Sequence, residues 1–543
     1  MIFILLYWIL SAGLFIGLGG IVSKILYKKS VSFLFDFVNG LFIALIISWI
    51  INFFLAFSTF DFIVLPLTII FNIVYWYFNS KHIDFSKIRK LPLMYKIFLF
   101  LVFIIVLYNS SLTPFLPDNE SYYIQTIKWA NTYGITKGLI NLHPFLGQFS
   151  AWHILQAGIN FKLFFNDLNG LFFLIYVFFI TLKFDDFHRR KKNKFIEIFL
   201  GIQLLSSSLL LIFVNSPSPD LPVYILALLS FYLFLKNYEQ PNVSEIKQLN
   251  IIVFLAFMIK LTAFPLLVLP VIFFWRYKRE LLPATKYFFV FFTLSFALIT
   301  TKNYIVTGYI FYPFTWFGNI FHPDWQYPEI LIKYMSGLGD IENYTIHFSK
   351  TLFKDFYHWI FQGKQMTVVN ILWLSILVLL PFLPKTKDKI QGLKTIYFIG
   401  LISFILILFI SPNIRFYLYF YMFFASVLLA FYYKRKYEKP TLIIVLLTMI
   451  FINYFTSKND VYSTEKHFVI NSVSKYSGRI ATKQIGNLKY YFVKNDSLFW
   501  QTGDAPIPAI QEKQIDYFKT YFHYIPQKRT DKLSDGFYML GTR

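Results

Sequence analysis

The chain has 543 residues, of which 57% are hydrophobic, 15% are charged and none is cysteine. Because a soluble domain carries about 25% charged residues, this composition predicts an integral membrane protein. The net charge of +23 lies in short basic clusters between apolar runs, which argues against a nucleic-acid partner, and the lack of cysteine excludes disulfides, thiolate metal sites and cysteine nucleophiles.

Apolar runs that can cross a bilayer follow one another along most of the chain. A span needs about 20 apolar residues. The first run has neither the basic region nor the cleavage site of a removed signal, so we interpret it as a span. The sequence predicts an all-α polytopic membrane protein with about 12–14 transmembrane helices. The runs lie near 2–26, 37–57, 60–79, 97–113, 168–183, 195–214, 220–236, 250–275, 284–301, 368–384, 394–411, 415–433 and 440–456.

Basic residues in the links between these runs predict the orientation. They fall on one side if the spans alternate, and the positive-inside rule makes that side cytoplasmic. Alternation requires the run 250–275 to return to the side that it entered, and Lys260 and Pro265 predict two short helices there. The basic residues are Lys28, Lys29, Lys87, Arg89, Lys90, Arg189, Arg190, Lys191, Lys192, Lys194, Arg276, Lys278, Arg279, Lys385, Lys387, Lys389, Lys434, Arg435 and Lys436.

Five segments are then predicted to face the periplasmic or extracellular side. The tail is rich enough in Ile, Tyr and Phe to form a small α/β segment outside the membrane. The five segments are the loop 114–167, NSPSPD at 215–220, the loop 302–367, SPNIR at 411–415 and the tail 457–543.

The loop 114–167 is predicted to hold two helices at the membrane surface. The string SYYIQTIKWANTYG predicts a helix that Asp118 or Asn119 can cap and Gly134 can end. Its aromatic residues suit a helix that lies in the interface. The string FSAWHILQAGINFKLFF predicts a second interfacial helix or a short re-entrant one.

Asp118 and Glu120, in the string PFLPDNESYY, are the first candidates for chemistry. Polar groups at membrane depth cost several kcal/mol, so carboxylates there indicate function. One of them can act as a general base for an acceptor hydroxyl, and the pair can bind a divalent cation such as Mg²⁺ or Mn²⁺. The structural alternative is that they cap and hydrate the helix.

Four more residues are candidates for binding a substrate. Asp220 can cap the helix that follows it, or it can bring a further carboxylate to the first pair. Arg415 lies on the side that the positive-inside rule depletes of basic residues, where its guanidinium can bind a phosphate or snorkel to headgroups. Lys302 and His143 can contact a phosphate or a sugar, and His143 alone is also typical of a structural histidine.

The order of these features resembles the GT-C superfamily of membrane glycosyltransferases, which take sugars from polyprenyl-phosphate carriers. There, an acidic motif and juxtamembrane helices occupy the first outer loop, a second acidic residue often lies in the next, and a long later loop helps to bind the lipid donor or acceptor. Asp118 and Glu120 match the first motif, Asp220 the second and 302–367 the long loop. The strings DNESYYIQTIKWANTYG, SPSPD, SPNIRF and GDAPIP also resemble an uncharacterised family of multi-span proteins from Bacteroidetes-type bacteria.

The resemblance implies three N-terminal helices in 1–96, a GT-C-like module in 97–456 and a periplasmic segment in 457–543. It also implies inverting hexosyl transfer from a lipid-linked sugar donor to a glycan, lipid or protein acceptor. Asp118 or Glu120 would be the base. Arg415, with Lys302 or a histidine, would stabilise the departing phosphate.

Three other functions remain open at this stage. A transporter or flippase of lipid-linked saccharides predicts charges inside spans and an internal repeat. A polysaccharide polymerase or ligase predicts arginines and a histidine on a large outer loop. A non-catalytic scaffold on a GT-C-like frame predicts carboxylates with only structural roles.

Overall fold

The computed structural model describes residues 1–27, 32–79, 89–161, 168–190, 195–315, 317–318, 320–336, 356–357, 359–361, 363–382, 391–410, 413–457, 479–494 and 499–542. Within these ranges the chain is mainly α-helical, with two antiparallel hairpins near the carboxyl terminus. Eight of the described helices are long and apolar enough to cross a membrane, and shorter apolar helices lie between them. These helices agree with the predicted all-α polytopic membrane protein.

The helices and strands are numbered here in chain order. The helices are α1 (Ile2–Tyr27), α2 (Phe33–Phe54), α3 (Asp61–Asn79), α4 (Leu93–Ser111), α5 (Ile124–Thr132), α6 (Ala151–Gly158), α7 (Leu168–Arg190), α8 (Phe195–Ser208), α9 (Asp220–Asn237), α10 (Val243–Ile259), α11 (Val268–Arg276), α12 (Leu282–Thr307), α13 (Glu329–Ser336), α14 (Lys364–Leu379), α15 (Gln391–Ile410), α16 (Leu418–Tyr432), α17 (Glu438–Ser457) and α18 (Glu512–Tyr517). The strands are β1 (Ile480–Ile485), β2 (Leu488–Val493), β3 (Tyr524–Lys528) and β4 (Phe537–Gly541).

The apolar run 250–275 is broken where the sequence predicted. Helix α10 ends at Ile259, Lys260 has extended backbone angles, and a 3-10 turn, Leu261–Leu267, leads into α11. Pro265 lies inside this 3-10 turn. Because proline cannot donate a backbone hydrogen bond, the tighter turn accommodates it where a continuous α-helix would lose a bond.

In its described part, residues 114–161, the loop 114–167 is largely buried in the molecule instead of lying over its surface. A π-helical turn, Asn119–Tyr123, runs into α5, and Gly134 follows the end of α5 with a φ of 75°. The side chains of Tyr123, Trp129 and Trp152 are fully enclosed. The two predicted helices therefore exist, but they are packed between the membrane-spanning helices and the carboxyl-terminal segment.

The first two helices approach each other closely through glycine. A Cβ on Gly19 of α1 would lie 1.6 Å from the carbonyl oxygen of Asp36, and one on Gly40 of α2 would lie 1.9 Å from that of Phe15. Neither position can accept a larger residue without separating the helices, because both obstructing atoms belong to the backbone.

A chain of polar side chains joins α1, α2 and α10 inside the bundle. Ser23 donates to Asp36 at 2.5 Å, Asn39 donates to Ser23 at 3.0 Å, and Gln248 donates to Asn39 at 2.9 Å. Tyr27 donates to the Gln248 side-chain oxygen at 3.2 Å. We call these five residues the Asp36 network. Its hydrogen bonds all run toward one carboxylate, so they link three helices without a basic residue among the five.

The carboxyl-terminal segment is a small α/β unit, as the composition of the tail predicted. β1 pairs with β2 and β3 with β4, and α18 lies between the hairpins in sequence. The segment binds the loop 114–167. Gln125 donates to the carbonyl oxygens of Gly503 and Ala505 at 3.0 and 2.9 Å, and the amide of Phe537 donates to the carbonyl oxygen of Lys137 at 3.0 Å.

Several sequence-based predictions concern residues outside the described ranges. They include part of the long loop 302–367, the start of the tail and much of the basic set that predicts orientation. The basic residues concerned are Lys28, Lys29, Lys87, Lys191, Lys192, Lys194, Lys385, Lys387 and Lys389.

Candidate functional site

Asp118, Asp220, Lys260 and Arg415 meet in one place, which we call the ion cluster. Nη1 of Arg415 lies 2.7 Å from Oδ2 of Asp118. Its Nε and Nη2 lie 3.0 and 2.7 Å from Oδ2 of Asp220. Nζ of Lys260 pairs with the other oxygen of Asp220. Arg415 therefore bridges two carboxylates, and Asp220 holds two cations.

Asp118 reaches the cluster because the chain enters a π-helical turn directly after it. The residue precedes that turn, and its side chain makes no capping hydrogen bond. The predicted capping role of Asp118 is therefore wrong, since its carboxylate faces Arg415 instead. Tyr123, at the end of the turn, donates to Asp118 at 3.3 Å and accepts from Arg415 at 3.2 Å. Such π-turns recur at functional sites.

Asp220 is held by the link that precedes α9. Asn169 donates to the carbonyl oxygens of Ser216 and Ser218 at 2.5 and 3.0 Å, and His153 contacts that of Pro217 at 3.1 Å. The hydroxyl of Ser218 accepts from the amide of Asp220 at 3.2 Å, so it takes the place of a cap. The carboxylate of Asp220, to which the Ser218 hydroxyl also donates at 3.4 Å, makes no cap of its own and pairs with Lys260 and Arg415.

Lys260 reaches the cluster from the break between α10 and the following 3-10 turn. Ser150 donates to the carbonyl oxygen of Ile259 at 2.7 Å, and this bond fixes the broken end of α10. The ammonium of Lys260 lies 4.9 Å from the centre of the Phe416 ring, a cation–π contact beside its ion pair.

Arg415 is positioned by its backbone. Asn413 caps the 3-10 turn Ile414–Phe416 by accepting from the Arg415 amide at 3.0 Å. Tyr224 of α9 donates to the Arg415 carbonyl oxygen at 2.7 Å. Both contacts direct the guanidinium toward the start of α9, where Asp220 lies.

The ion cluster is buried from solvent at Asp220 and partly exposed at Asp118. The side chain of Asp220 is 1% exposed, whereas those of Asp118 and Arg415 are 25% and 26% exposed. Burial disfavours the charge on Arg415, but the carboxylates of Asp220 and Asp118 outweigh it, so the pKa of Arg415 lies above its usual range. Burial and both aspartates raise the pKa of Tyr123, which stays protonated.

Glu120 does not join the ion cluster. The residue is 2% exposed, and Asn119 donates to its carboxylate at 3.1 Å. Its backbone oxygen accepts from the amides of Thr502 and Gly503 at 3.0 and 2.8 Å. Glu120 thereby ties the π-turn to the carboxyl-terminal segment, and its role as a catalytic carboxylate stays a prediction.

His143 connects the loop 114–167 to the carboxyl-terminal segment. Its Nδ1 accepts from the amide of Phe145 at 3.2 Å, and its Nε2 lies 3.2 Å from the carbonyl oxygen of Trp500. Both bonds form only in the neutral ring with the proton on Nε2. Burial lowers the pKa of His143 to about 4, which keeps the ring neutral. Neither of these bonds joins His143 to the ion cluster, and its predicted contact with a substrate stays a prediction.

Lys302 lies near the end of α12, with its side chain enclosed. Its ammonium donates to the carbonyl oxygen of Gln148 at 3.0 Å. None of the ion pairs among the described residues includes Lys302, so it is not part of the ion cluster.

The ion cluster does not fit a divalent cation. Asp118 and Asp220 both face Arg415, and Asp220 also faces Lys260, so a metal ion would meet two positive charges beside its ligands. In the described part of the chain, no group of three or more His, Cys, Asp or Glu side chains is arranged to hold a metal.

Lys260 and Tyr123 belong to the site but were not among the candidate site residues that the sequence indicated. Lys260 could have been predicted as a site residue, because a lysine at the break of an otherwise apolar run indicates function. No feature of the sequence distinguishes Tyr123 from the other aromatic residues of its predicted helix.

Comparison with known proteins gives one match. No curated protein and no solved structure matches the chain. A family model described as a domain of unknown function, DUF8201, matches residues 1–422. All four residues of the ion cluster lie within the matched part, and the described carboxyl-terminal segment lies beyond it. The match covers most of the chain, which therefore belongs to the DUF8201 family.

Proposed function

We propose that the chain is a membrane glycosyltransferase that moves a sugar from a polyprenyl-phosphate carrier to an acceptor hydroxyl at the outer face of the bacterial inner membrane. The ion cluster is the observation that carries this proposal. It combines one partly exposed carboxylate, Asp118, with two cations, Arg415 and Lys260. Such a transfer needs a base for the acceptor and positive charge for the leaving phosphate.

The position of the cluster along the chain supports the proposal. Asp118 follows α4, Asp220 begins α9, Lys260 follows α10, and Arg415 precedes α16. Alternating spans bring these four helix ends to the side that the positive-inside rule predicts to be outside. A lipid-borne phosphate lies at that level of the bilayer while its polyprenyl chain stays among the spans.

A phosphate that enters the cluster competes with Asp118 for Arg415. Asp118 is the more exposed of the two carboxylates, and Asp220 is bound by both cations. Asp220 therefore keeps Arg415 and Lys260 in place while Asp118 is released. The freed carboxylate can then accept a proton, so binding of the donor prepares the base.

In the proposed reaction Asp118 accepts the proton of the acceptor hydroxyl while the hydroxyl oxygen bonds to the anomeric carbon. The bond between that carbon and the phosphate oxygen breaks, and its electron pair leaves with polyprenyl phosphate. Arg415 and Lys260 stabilise the added negative charge through charge-assisted contacts. A carboxylate nearby also favours the oxocarbenium-like transition state. Inversion at the anomeric carbon is what the GT-C resemblance implies.

A non-catalytic scaffold is the second candidate, and one observation favours it. Every charge of the ion cluster faces an opposite charge, which is also what a purely structural network requires. A transporter of lipid-linked saccharides is the third candidate, since it would bind the same donor without cleaving it.

Release of polyprenyl phosphate tests the proposal. Purified protein in lipid nanodiscs is given polyprenyl-phosphate sugars, with and without Mg²⁺ or Mn²⁺, and the released lipid is followed by mass spectrometry. Glu329→Gln is the matched control, because Glu329 is an exposed carboxylate outside the cluster. We expect release by the wild type and the control, and its loss in Asp118→Asn and Arg415→Ala. Donor binding without cleavage by any variant would favour the scaffold or the transporter.

A further inference from the structure

Lys302 is a buried lysine for which the described chain provides no carboxylate partner. The residue is 5% exposed, and its ammonium makes one hydrogen bond, to the carbonyl oxygen of Gln148 at 3.0 Å. No carboxylate in the described ranges forms an ion pair with it. An ammonium has three donors, so two remain for another group.

Lys260 shows how this part of the protein accommodates another largely buried lysine. Its ammonium pairs with the buried carboxylate of Asp220 and lies over the ring of Phe416. Burial of a charge without such a partner costs several kcal/mol. The burial of Lys302 without a carboxylate is explained if a ligand supplies the anion.

The surroundings of Lys302 connect it to the ion cluster. The side-chain oxygen of Gln148 accepts from the hydroxyl of Tyr122 at 3.3 Å. The ring of Tyr122 packs against that of Tyr123 with their centres 4.6 Å apart, and Tyr123 accepts from Arg415 at 3.2 Å. Gln148 and the pair of tyrosines, all in the loop 114–167, therefore connect Lys302 to Arg415.

We propose that Lys302 binds a second anionic group of the lipid-linked substrate, while Arg415 and Lys260 bind the first. This inference rests on the proposed function, and it narrows the substrate to a lipid-linked saccharide with two anionic groups. The second group is either the second phosphate of a diphosphate bridge or the carboxylate of an acidic sugar. Both offer the oxygen acceptors that a buried ammonium requires.

Ligand selectivity in a charge-removing variant tests the proposal. Lys302→Gln keeps a donor for the Gln148 carbonyl but removes the charge, and Lys302→Arg keeps the charge. Lys333→Gln is the matched control, because Lys333 is an exposed lysine of α13. Binding to protein in nanodiscs is measured for a polyprenyl monophosphate, a polyprenyl diphosphate, and polyprenyl-phosphate sugars with a neutral and with an acidic sugar.

We expect Lys302→Gln to lose about tenfold in affinity for a ligand with two anionic groups and under about twofold for the singly anionic ones. Loss for the diphosphate alone identifies a diphosphate bridge, and loss for the acidic sugar alone identifies that sugar. Lys302→Arg should retain the preference, and the thermal unfolding of all variants shows whether they fold.

An unchanged ratio of affinities in Lys302→Gln would overturn the inference, even where the variant binds every ligand more weakly. Monophosphate binding that depends on Arg415 but not on Lys302 would then leave the proposed function standing. A wild type that binds none of the four ligands would overturn both.

Discussion

Two buried carboxylates, Asp220 of the ion cluster and Asp36 of the Asp36 network, are stabilised in different ways. Asp220 faces two cations, one of which also holds a second, partly exposed carboxylate. Asp36 accepts from Ser23 at the end of a run of neutral side chains. The first arrangement can exchange one anion for another, because Asp118 is partly exposed. The second arrangement joins neighbouring helices, and its five residues include no second carboxylate that a ligand could replace.

This contrast separates function from stability. A carboxylate that exchanges with a ligand should affect turnover more than folding, whereas one that completes a closed network should affect folding more than turnover. Substitutions at Asp118, Asp220 and Asp36 should therefore differ in which property they change, turnover or stability, as well as in the size of the change.

The largest effect is expected for Asp118→Asn. Loss of a general base lowers turnover by about 10²–10⁴-fold. The same change should alter the free energy of unfolding by less than about 1 kcal/mol, since Asp118 is partly exposed and Arg415 keeps its contact with Asp220. Turnover and thermal unfolding measured on the same preparation check both values. Turnover within a factor of ten of the wild type would remove Asp118 as the base.

Asp220→Asn should be the most destabilising change in the cluster. It leaves Arg415 and Lys260 beside a neutral side chain in a buried place, and breaking such a pair costs about 3–5 kcal/mol. Fluorescence-detected thermal unfolding in nanodiscs measures the loss against Glu329→Gln. A loss no larger than that of Asp118→Asn would show that Asp220 is not the anchor of the cluster.

Asp36→Asn should weaken folding but leave turnover per folded molecule unchanged. The amide accepts less strongly from Ser23 than the carboxylate does, and loss of a buried hydrogen bond to a charged group costs about 1–3 kcal/mol. Thermal unfolding gives the stability, and polyprenyl phosphate release, normalised to folded protein, gives the activity. A normalised activity reduced as much as in Asp118→Asn would erase the distinction between the two carboxylates.

The last prediction concerns stability in acid, where no effect is expected at neutral pH. Burial holds the pKa of His143 at about 4, below the ordinary value of 6.5. Between these two pH values the unfolded chain binds a proton that the folded chain does not. The free energy of unfolding should therefore fall as the pH is lowered through this window. Burial lowers the pKa of His153 to about 3, so its contribution has the same sign.

His143→Asn isolates the part that His143 contributes, because asparagine can still cap the turn that begins at Pro144. The variant should lose up to about 1.4 kcal/mol per pH unit of the slope between pH 4 and 6.5. Thermal unfolding across this range measures it. A slope equal to that of the wild type would show that groups other than His143 cause the loss of stability in acid.

The sequence was informative where a local pattern has a local cause. Apolar runs predicted the helices, and Lys260 with Pro265 predicted the break between α10 and α11. The positive-inside rule made Arg415 conspicuous, because it depletes basic residues on the side where Arg415 was predicted to lie.

The sequence was uninformative where distant segments meet. Asp118 and Arg415 are 297 positions apart, and nothing local predicts their ion pair. The expectation that Asp118 and Glu120 act together came from their spacing alone. In a helical turn, residues two positions apart do not face each other, and the structure indeed directs Asp118 to Arg415 and encloses Glu120 beside Asn119.

The structure of the protein with a bound polyprenyl-phosphate sugar tests the central claim most directly. We predict that phosphate oxygens contact Arg415 and Lys260 and that Asp220 keeps its contacts with both cations. The carboxylate of Asp118 should have left Arg415 and should lie beside the anomeric carbon. A donor bound elsewhere, with the contact between Asp118 and Arg415 intact, would contradict the account and leave the ion cluster as a structural feature.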